Sequence, residues 1–77
     1  MDWRDRISVN PSICHGQACI KGTRVLVSVV LDNLAADETH AAVAAAYRIT
    51  LADVQAALLY AAELAKERIV PLPAELV

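Results

Sequence analysis

The side chains best suited to chemistry lie near the amino-terminal end, where Cys14, His15 and Cys19 supply two sulfurs and one imidazole. Together they give at most three soft ligands, and they lack the paired C-x-x-C spacing that is typical of a zinc site. The spacing therefore favours buried or half-buried free thiols over a metal centre. We expect no bound metal and no cofactor.

Catalysis by these groups is also disfavoured. Cys14 and His15 are adjacent, and neighbouring residues on a strand point to opposite faces, which separates a nucleophile from its base. His40 falls in the first turn of a short predicted helix, where an exposed side chain is expected. The sequence therefore predicts no catalytic residues and a protein that is not an enzyme.

A basic turn follows Cys19 and consists of Lys21, Gly22, Thr23 and Arg24. A turn flanked by glycine exposes backbone amides as well as charges, so it is a candidate for contact with a phosphate backbone. Two alternatives stay open, which are a simple solvated surface and a structural ion pair of Arg24 with Asp32 or Asp53.

The elements that position these residues change character at Ser28. Residues 6–27 have β character, in three short runs at 7–9, 18–20 and 25–27, and contain both glycines of the chain at turn positions. From Ser28 onward the pattern is helical. Three helices are predicted, with N-caps at Ser28, at Asp37 or Thr39, and at Thr50, and the last of them extends to about Arg68.

The second and third helices, joined near Arg48 and Ile49, have the spacing of a helix-turn-helix. The polar residues expected on the exposed side there are Arg48, Thr50, Asp53 and Gln55. Arg48 suits a phosphate or guanine and Gln55 suits adenine, whereas Asp53 would be repelled by phosphates. DNA binding and helix-turn-helix packing without DNA contact both remain open.

Length and composition limit the chain to one small domain, because it has 77 residues, of which 57% are hydrophobic. We predict a domain over 1–70 and a tail over 71–77. Burial is worth about 110 kcal/mol and chain ordering costs about 115 kcal/mol, so the two terms cancel. Self-association as a homodimer or higher oligomer is therefore expected, through a third-helix surface that includes Leu59, Tyr60 and Glu63.

The charge pattern excludes several classes of protein. The formal net charge is −2, which argues against the strongly basic field of a stand-alone nucleic-acid binder. Residues 1–6 are charged where a signal peptide would be apolar, and no apolar run reaches the ~20 residues of a membrane helix. We expect a cytoplasmic location and no membrane partner.

Several motifs carry a family resemblance over about residues 6–61. They are Arg6-Ile-Ser-Val-Asn-Pro11, the segment from Ile13 to Val27 with its core Gly16-x-x-x-Ile20-Lys21-Gly22-Thr23-Arg24, and Tyr47 before Ile49-Thr-Leu-Ala-Asp53-Val54. The sequence resembles the small prokaryotic family named domain of unknown function 433. It departs from that family at Asp37–Ala42, which lacks the usual Gly-x-S/T-x-E-E entry, and at Ala18 and Leu26, where proline is common.

The resemblance implies a mainly α fold, with a short amino-terminal β segment on a homeodomain-like three-helix unit of helix-turn-helix type. It also implies an antitoxin of a type II toxin–antitoxin pair, which neutralises a PIN-like ribonuclease toxin and represses its own operon by binding operator DNA. The alternative is a stand-alone DNA-binding regulator or a structural interaction module without a toxin.

Overall fold

Two short strands and three α-helices make up the computed structural model, which describes residues 2–67. The elements are β1 (Ile7–Ser8), β2 (Cys19–Ile20), α1 (Val27–Ala35), α2 (His40–Tyr47) and α3 (Leu51–Glu67). The predicted mainly α fold, a three-helix unit with a short β segment near the amino terminus, is confirmed. The predicted end of the third helix near Arg68 and the predicted tail at 71–77 lie outside the described residues.

The β segment is smaller than the sequence pattern suggests. β1 and β2 pair antiparallel, with Ile7 opposite Ile20 and Ser8 opposite Cys19. The third predicted strand, residues 25–27, is wrong, because Leu26 forms only an isolated bridge to Cys19 and Val27 already belongs to α1. Both glycines of this segment have positive φ angles, which turn positions often require.

Helix α1 begins one residue before the predicted cap. Leu26, not Ser28, occupies the N-cap position, and its side chain makes no capping hydrogen bond. The Val27 amide instead donates to the Ala18 carbonyl at 3.0 Å. The Ala18 carbonyl, next to β2, thus accepts a hydrogen bond from a helix-start amide that a capping side chain would otherwise bind.

Helix α2 begins as one of the two predicted alternatives requires. The Thr39 hydroxyl accepts a hydrogen bond from the Ala42 amide at 3.0 Å, so Thr39 is the cap and Asp37 is not. The Asn33 side chain on α1 donates to the Tyr47 hydroxyl at 2.9 Å, which ties α1 to the end of α2.

The hydrophobic core joins all three helices to the small sheet. Its fully buried members include Ile20 from β2, Val30 from α1, Val43 from α2 and Val54 from α3. Alanines supply much of the α3 contribution, since Ala56 and Ala57 are fully buried. Small side chains let the helices approach closely, which suits a chain with few aromatic residues.

Within residues 2–67, none of the helices alone has both the length and the apolar composition that a membrane span needs. Helices α2 and α3 meet that requirement only when they are taken together across their bend of 110°.

Candidate functional site

The turn between α2 and α3 has the geometry of a helix-turn-helix. Residues 48–50 join the two helices, and the chain direction changes by 110° between them, within the range of about 90–120° for that motif. Arg48 adopts a left-handed conformation with φ 56°, and the Ile49 amide donates to the Ala44 carbonyl at 3.0 Å. This bonding pattern ends α2 abruptly and sets the direction of α3.

A reciprocal pair of hydrogen bonds starts α3. The Thr50 amide donates to Asp53 Oδ2 at 3.0 Å, and the Asp53 amide donates to Thr50 Oγ1 at 3.0 Å. The two bonds form a capping box, in which Thr50 is the predicted N-cap. The Thr50 side chain is therefore already engaged within the helix start, although Thr50 as a residue is exposed.

Arg6 neutralises the one carboxylate at this helix start. Its guanidinium donates to Asp53 Oδ1 at 3.1 Å, and the Asp53 side chain is only 14% exposed. Burial acts to raise the pKa of Asp53, but hydrogen bonds from Thr50 and Arg6, together with the Arg6 charge, outweigh it and lower that pKa. The expectation that Asp53 stands exposed and repels phosphate is therefore wrong.

The alternative of an Arg24 ion pair with Asp32 or Asp53 is not found in the part of the chain that the structure describes. Asp53 is engaged by Arg6, and over residues 2–67 neither Arg24 nor Asp32 takes part in an ion pair. Arg24 is exposed, and so are Lys21 and Gly22. The basic side chains of this turn are thus available to solvent.

The basic turn is held in shape from inside. Thr23 Oγ1 donates to the Ile20 carbonyl at 2.7 Å and accepts from the Val25 amide at 3.0 Å. Gly22 has φ +81°, and nothing lies within 4 Å of the position that a Cβ would occupy there. Thr23 therefore shapes the turn, while Lys21, Gly22 and Arg24 form its outer surface.

Arg6 also places this turn beside the start of α3. Its carbonyl accepts a hydrogen bond from the Lys21 amide at 2.8 Å, while its guanidinium binds Asp53. One residue therefore contacts both parts, with its backbone carbonyl bonded to Lys21 and its side chain bonded to the first turn of α3. The predicted nucleic-acid residues form two neighbouring groups on either side of Arg6: the 21–24 turn, and the α3 start with exposed Arg48, Thr50 and Gln55.

A second feature is an apolar groove of 580 Å³ between the carboxyl-terminal half of α3, the start of α1 and the loops around β1 and β2. Two large side chains in it are exposed to solvent, Val9 at 59% and Leu64 at 40%. Tyr60 also lines the groove, along with Val27, Leu31, Ala61, Ser28 and residues 16–18. This surface, hereafter the α1–α3 groove, is lined mostly by apolar side chains.

The predicted interface residues Leu59, Tyr60 and Glu63 do not share one environment. Tyr60 packs edge-on against Trp3, with ring centroids 5.1 Å apart, and Arg4 lies over the Trp3 ring at 4.7 Å. Leu59 is half-buried and lies outside the groove lining, whereas Glu63 pairs with Lys66 at 3.5 Å. Part of the Tyr60 surface is thus covered by the protein's own amino-terminal turn.

The cysteines are free thiols, with Cys14 half-buried and Cys19 buried, as the sequence predicts. Across residues 2–67, no group of three or more His, Cys, Asp or Glu side chains is arranged to hold a metal ion. His15 and His40 are both exposed. The absence of a metal and of catalysis remains a prediction.

Sequence reasoning missed Arg6 and Trp3. Arg6 lies 47 residues from Asp53 in the chain, and no local spacing rule connects two residues so far apart. Trp3 precedes the first strand in a short 3₁₀ turn, Trp3–Asp5, which the Asp2 side chain caps. The single tryptophan in the chain is the one signal that this segment packs onto the domain.

The fold and site define a small three-helix protein with a helix-turn-helix unit and a short β hairpin. The sequence profile of the family described as "Protein of unknown function (DUF433)" matches residues 7–61. The chain therefore belongs to this family, as the motifs around Gly22 and Asp53 indicate.

Among solved structures, the crystal structure of Rv2018 from Mycobacterium tuberculosis is similar, with a TM-score of 0.66 and 33% sequence identity. The match covers 74% of this chain and 27% of the mycobacterial chain, so the similarity spans about a quarter of that longer protein. A comparison with curated proteins gives no match.

Proposed function

We propose that this protein is an antitoxin that binds and neutralises a PIN-like ribonuclease encoded beside it. The observation that carries the proposal is the α1–α3 groove, which exposes Val9 and Leu64 to solvent. Contiguous exposed apolar surface of this kind marks sites of protein–protein contact. The membership of the family, and the antitoxin role that the resemblance implies, supply the class of partner.

Charge favours a basic partner surface at this groove. Asp32 is exposed, directly follows the groove residue Leu31 and forms no ion pair within residues 2–67, whereas Glu63, next to Leu64, is paired with Lys66. The chain as a whole carries a formal charge of −2. A ribonuclease presents a basic track for RNA, and an acidic chain that covers this track would both bind it and block its substrate.

The test is co-expression with the product of the adjacent reading frame, which carries the affinity tag. Leu64→Glu places a charge in the α1–α3 groove and should reduce the retained antitoxin at least tenfold. Leu51→Glu is the matched control, because Leu51 is similarly exposed on the same helix but lies outside the groove. Equal retention of both variants would contradict the proposal, and circular dichroism checks that both fold.

We also infer that the helix-turn-helix unit contacts operator DNA and thereby represses the protein's own operon. Support comes from the 110° turn between α2 and α3 and from the neutralisation of Asp53 by Arg6. Phosphate contacts are assigned to Lys21, Gly22, Thr23 and Arg24, and base contacts to Arg48, Thr50 and Gln55. Thr23 Oγ1 already donates to the Ile20 carbonyl, so its hydroxyl can only accept from a ligand. Thr50 Oγ1 accepts from the Asp53 amide, so its hydroxyl hydrogen can still donate to DNA.

The same 110° geometry favours a second candidate, a stand-alone DNA-binding regulator without a toxin. An adjacent reading frame that encodes no nuclease, together with operator binding by this chain alone, would select that candidate. In both cases the chain itself is proposed to have no enzymatic activity. A cytoplasmic location and a homodimer are proposed with either function.

A further inference from the structure

The thiols of Cys14 and Cys19 meet on the basic turn, where they bond to the carbonyls of neighbouring residues. Cys14 Sγ donates to the Arg24 carbonyl at 3.7 Å, and Cys19 Sγ donates to the Thr23 carbonyl at 3.6 Å. These two carbonyls belong to consecutive residues.

An uncommon backbone conformation produces this meeting. Cys14, His15 and Gly16 all have positive φ angles, 53°, 55° and 80°. For residues other than glycine this conformation costs roughly 1–2 kcal/mol each. Hydrogen bonds across the bend hold it, from the Gly16 amide to the Ile13 carbonyl at 3.1 Å and from the Gln17 amide to the Cys14 carbonyl at 3.0 Å. The bend folds residue 14 back toward β2.

The two thiols differ in access. Cys19 is 1% exposed, whereas Cys14 is half-buried beside the exposed His15. Burial, and then the neighbouring Cys14, raise the pKa of Cys19. A small oxidant therefore reaches Cys14 first, and Cys19 is placed to react second.

We propose that Cys14 and Cys19 form a reversible intramolecular disulfide in response to a hydroperoxide. The Cys14 thiolate attacks the terminal peroxide oxygen, which gives Cys14 sulfenic acid and releases water or an alcohol. The Cys19 sulfur then attacks the sulfenic sulfur, a water molecule leaves, and the S–S bond closes. Two electrons pass from the two thiols to the peroxide, and a dithiol restores the reduced pair.

The test uses the full chain and hydrogen peroxide at a few molar equivalents. Trypsin cleaves after Arg6 and after Lys21, so it releases residues 7–21 as one peptide that contains both cysteines. We expect the mass of this peptide to fall by about 2 Da on oxidation, with both free thiols lost, and to recover in dithiothreitol.

Matched variants separate the two roles. In Cys19→Ser, Cys14 should stop at the sulfenic acid, with a gain of about 16 Da that dimedone traps. In Cys14→Ser, the buried Cys19 should stay unmodified under the same conditions. Cys19→Ala serves as the second variant if the serine at this buried position impairs folding.

Three results would overturn the proposal. One is independent oxidation of both cysteines without the loss of about 2 Da in the wild-type peptide. Another is a disulfide that joins two chains in dilute solution. The third is no reaction at a peroxide dose that fully oxidises glutathione.

Discussion

Arg6 and Asp53, 47 residues apart in the chain, are joined by an ion pair of 3.1 Å that connects the residue before β1 to the start of α3. The backbone carbonyl of Arg6 accepts a hydrogen bond from the Lys21 amide at 2.8 Å. This residue therefore fixes the basic turn against the helix-turn-helix unit. The arrangement of the candidate nucleic-acid surface depends on this contact.

Removal of this pair should lower stability more than the loss of an ordinary surface charge. Asp53→Asn weakens both the ion pair and the α3 capping box, so we expect a loss of about 1–3 kcal/mol in the free energy of unfolding. Asp32→Asn is the control, since Asp32 is exposed and, within residues 2–67, forms no ion pair. Urea denaturation of both variants measures the difference, and equal losses would contradict the assigned role of Arg6.

Acid should weaken the fold through the same carboxylate. The pKa of Asp53 is lowered in the folded protein, so the folded state binds its proton less readily than the unfolded state. This contribution to stability is present above the ordinary aspartate pKa of about 3.9 and is lost as the pH falls through the lower folded value. Unfolding measured from pH 6 down to about pH 2 should show a steeper loss in wild type than in Asp53→Asn. Parallel curves for the two proteins would contradict this contribution of Asp53 to the pH dependence of stability.

We predict a homodimer or higher oligomer whose contact includes Leu59 on α3. Leu59→Glu should shift the mass measured by light scattering toward the monomer at micromolar concentration, because a buried charge opposes association. Tyr60→Glu is a poorer probe, since Tyr60 also packs on Trp3 within the chain. Gln55→Glu, one turn earlier and exposed, is the control. A folded wild-type monomer at this concentration would refute the prediction.

Operator binding should separate phosphate contacts from base contacts. Lys21→Ala and Arg24→Ala should each lower the slope of log affinity against log salt by about one unit without a change in sequence preference. Arg48→Ala and Gln55→Ala should change which bases are preferred, because only groups at base edges carry that information. The titration uses the upstream DNA, with the chain alone and with its partner. No binding by the complex would eliminate autoregulation.

Local rules predicted the elements better than the contacts between them. The Thr50 and Asp53 capping box, the Thr39 cap and the turn glycines follow from short-range hydrogen bonding, and the structure has all of them. The start of α1 was misplaced because the Ala18 carbonyl, a tertiary partner, takes the Val27 amide. The Arg6 ion pair was missed for the same reason.

In the candidate site, too, the local features could be predicted from the sequence and the tertiary contacts could not. Glycine, lysine and arginine in one turn mark an exposed basic surface from sequence alone, and Lys21, Gly22 and Arg24 are exposed. The α1–α3 groove could not be predicted, because it forms where residues 9, 16–18, 27–31 and 60–64 converge. The Trp3 contact with Tyr60 also depends on the tertiary fold. The sequence alone therefore could not show that part of the predicted Tyr60 interface is covered within the chain.

The antitoxin role is tested most sharply by the ribonuclease activity of the protein encoded by the adjacent reading frame, titrated with this chain. We predict that cleavage of a fluorescent RNA substrate falls to background near stoichiometric addition of wild type, and that Leu51→Glu inhibits equally well. Leu64→Glu should need at least ten times more protein for the same inhibition. Undiminished cleavage in excess wild-type protein would contradict the proposed antitoxin role.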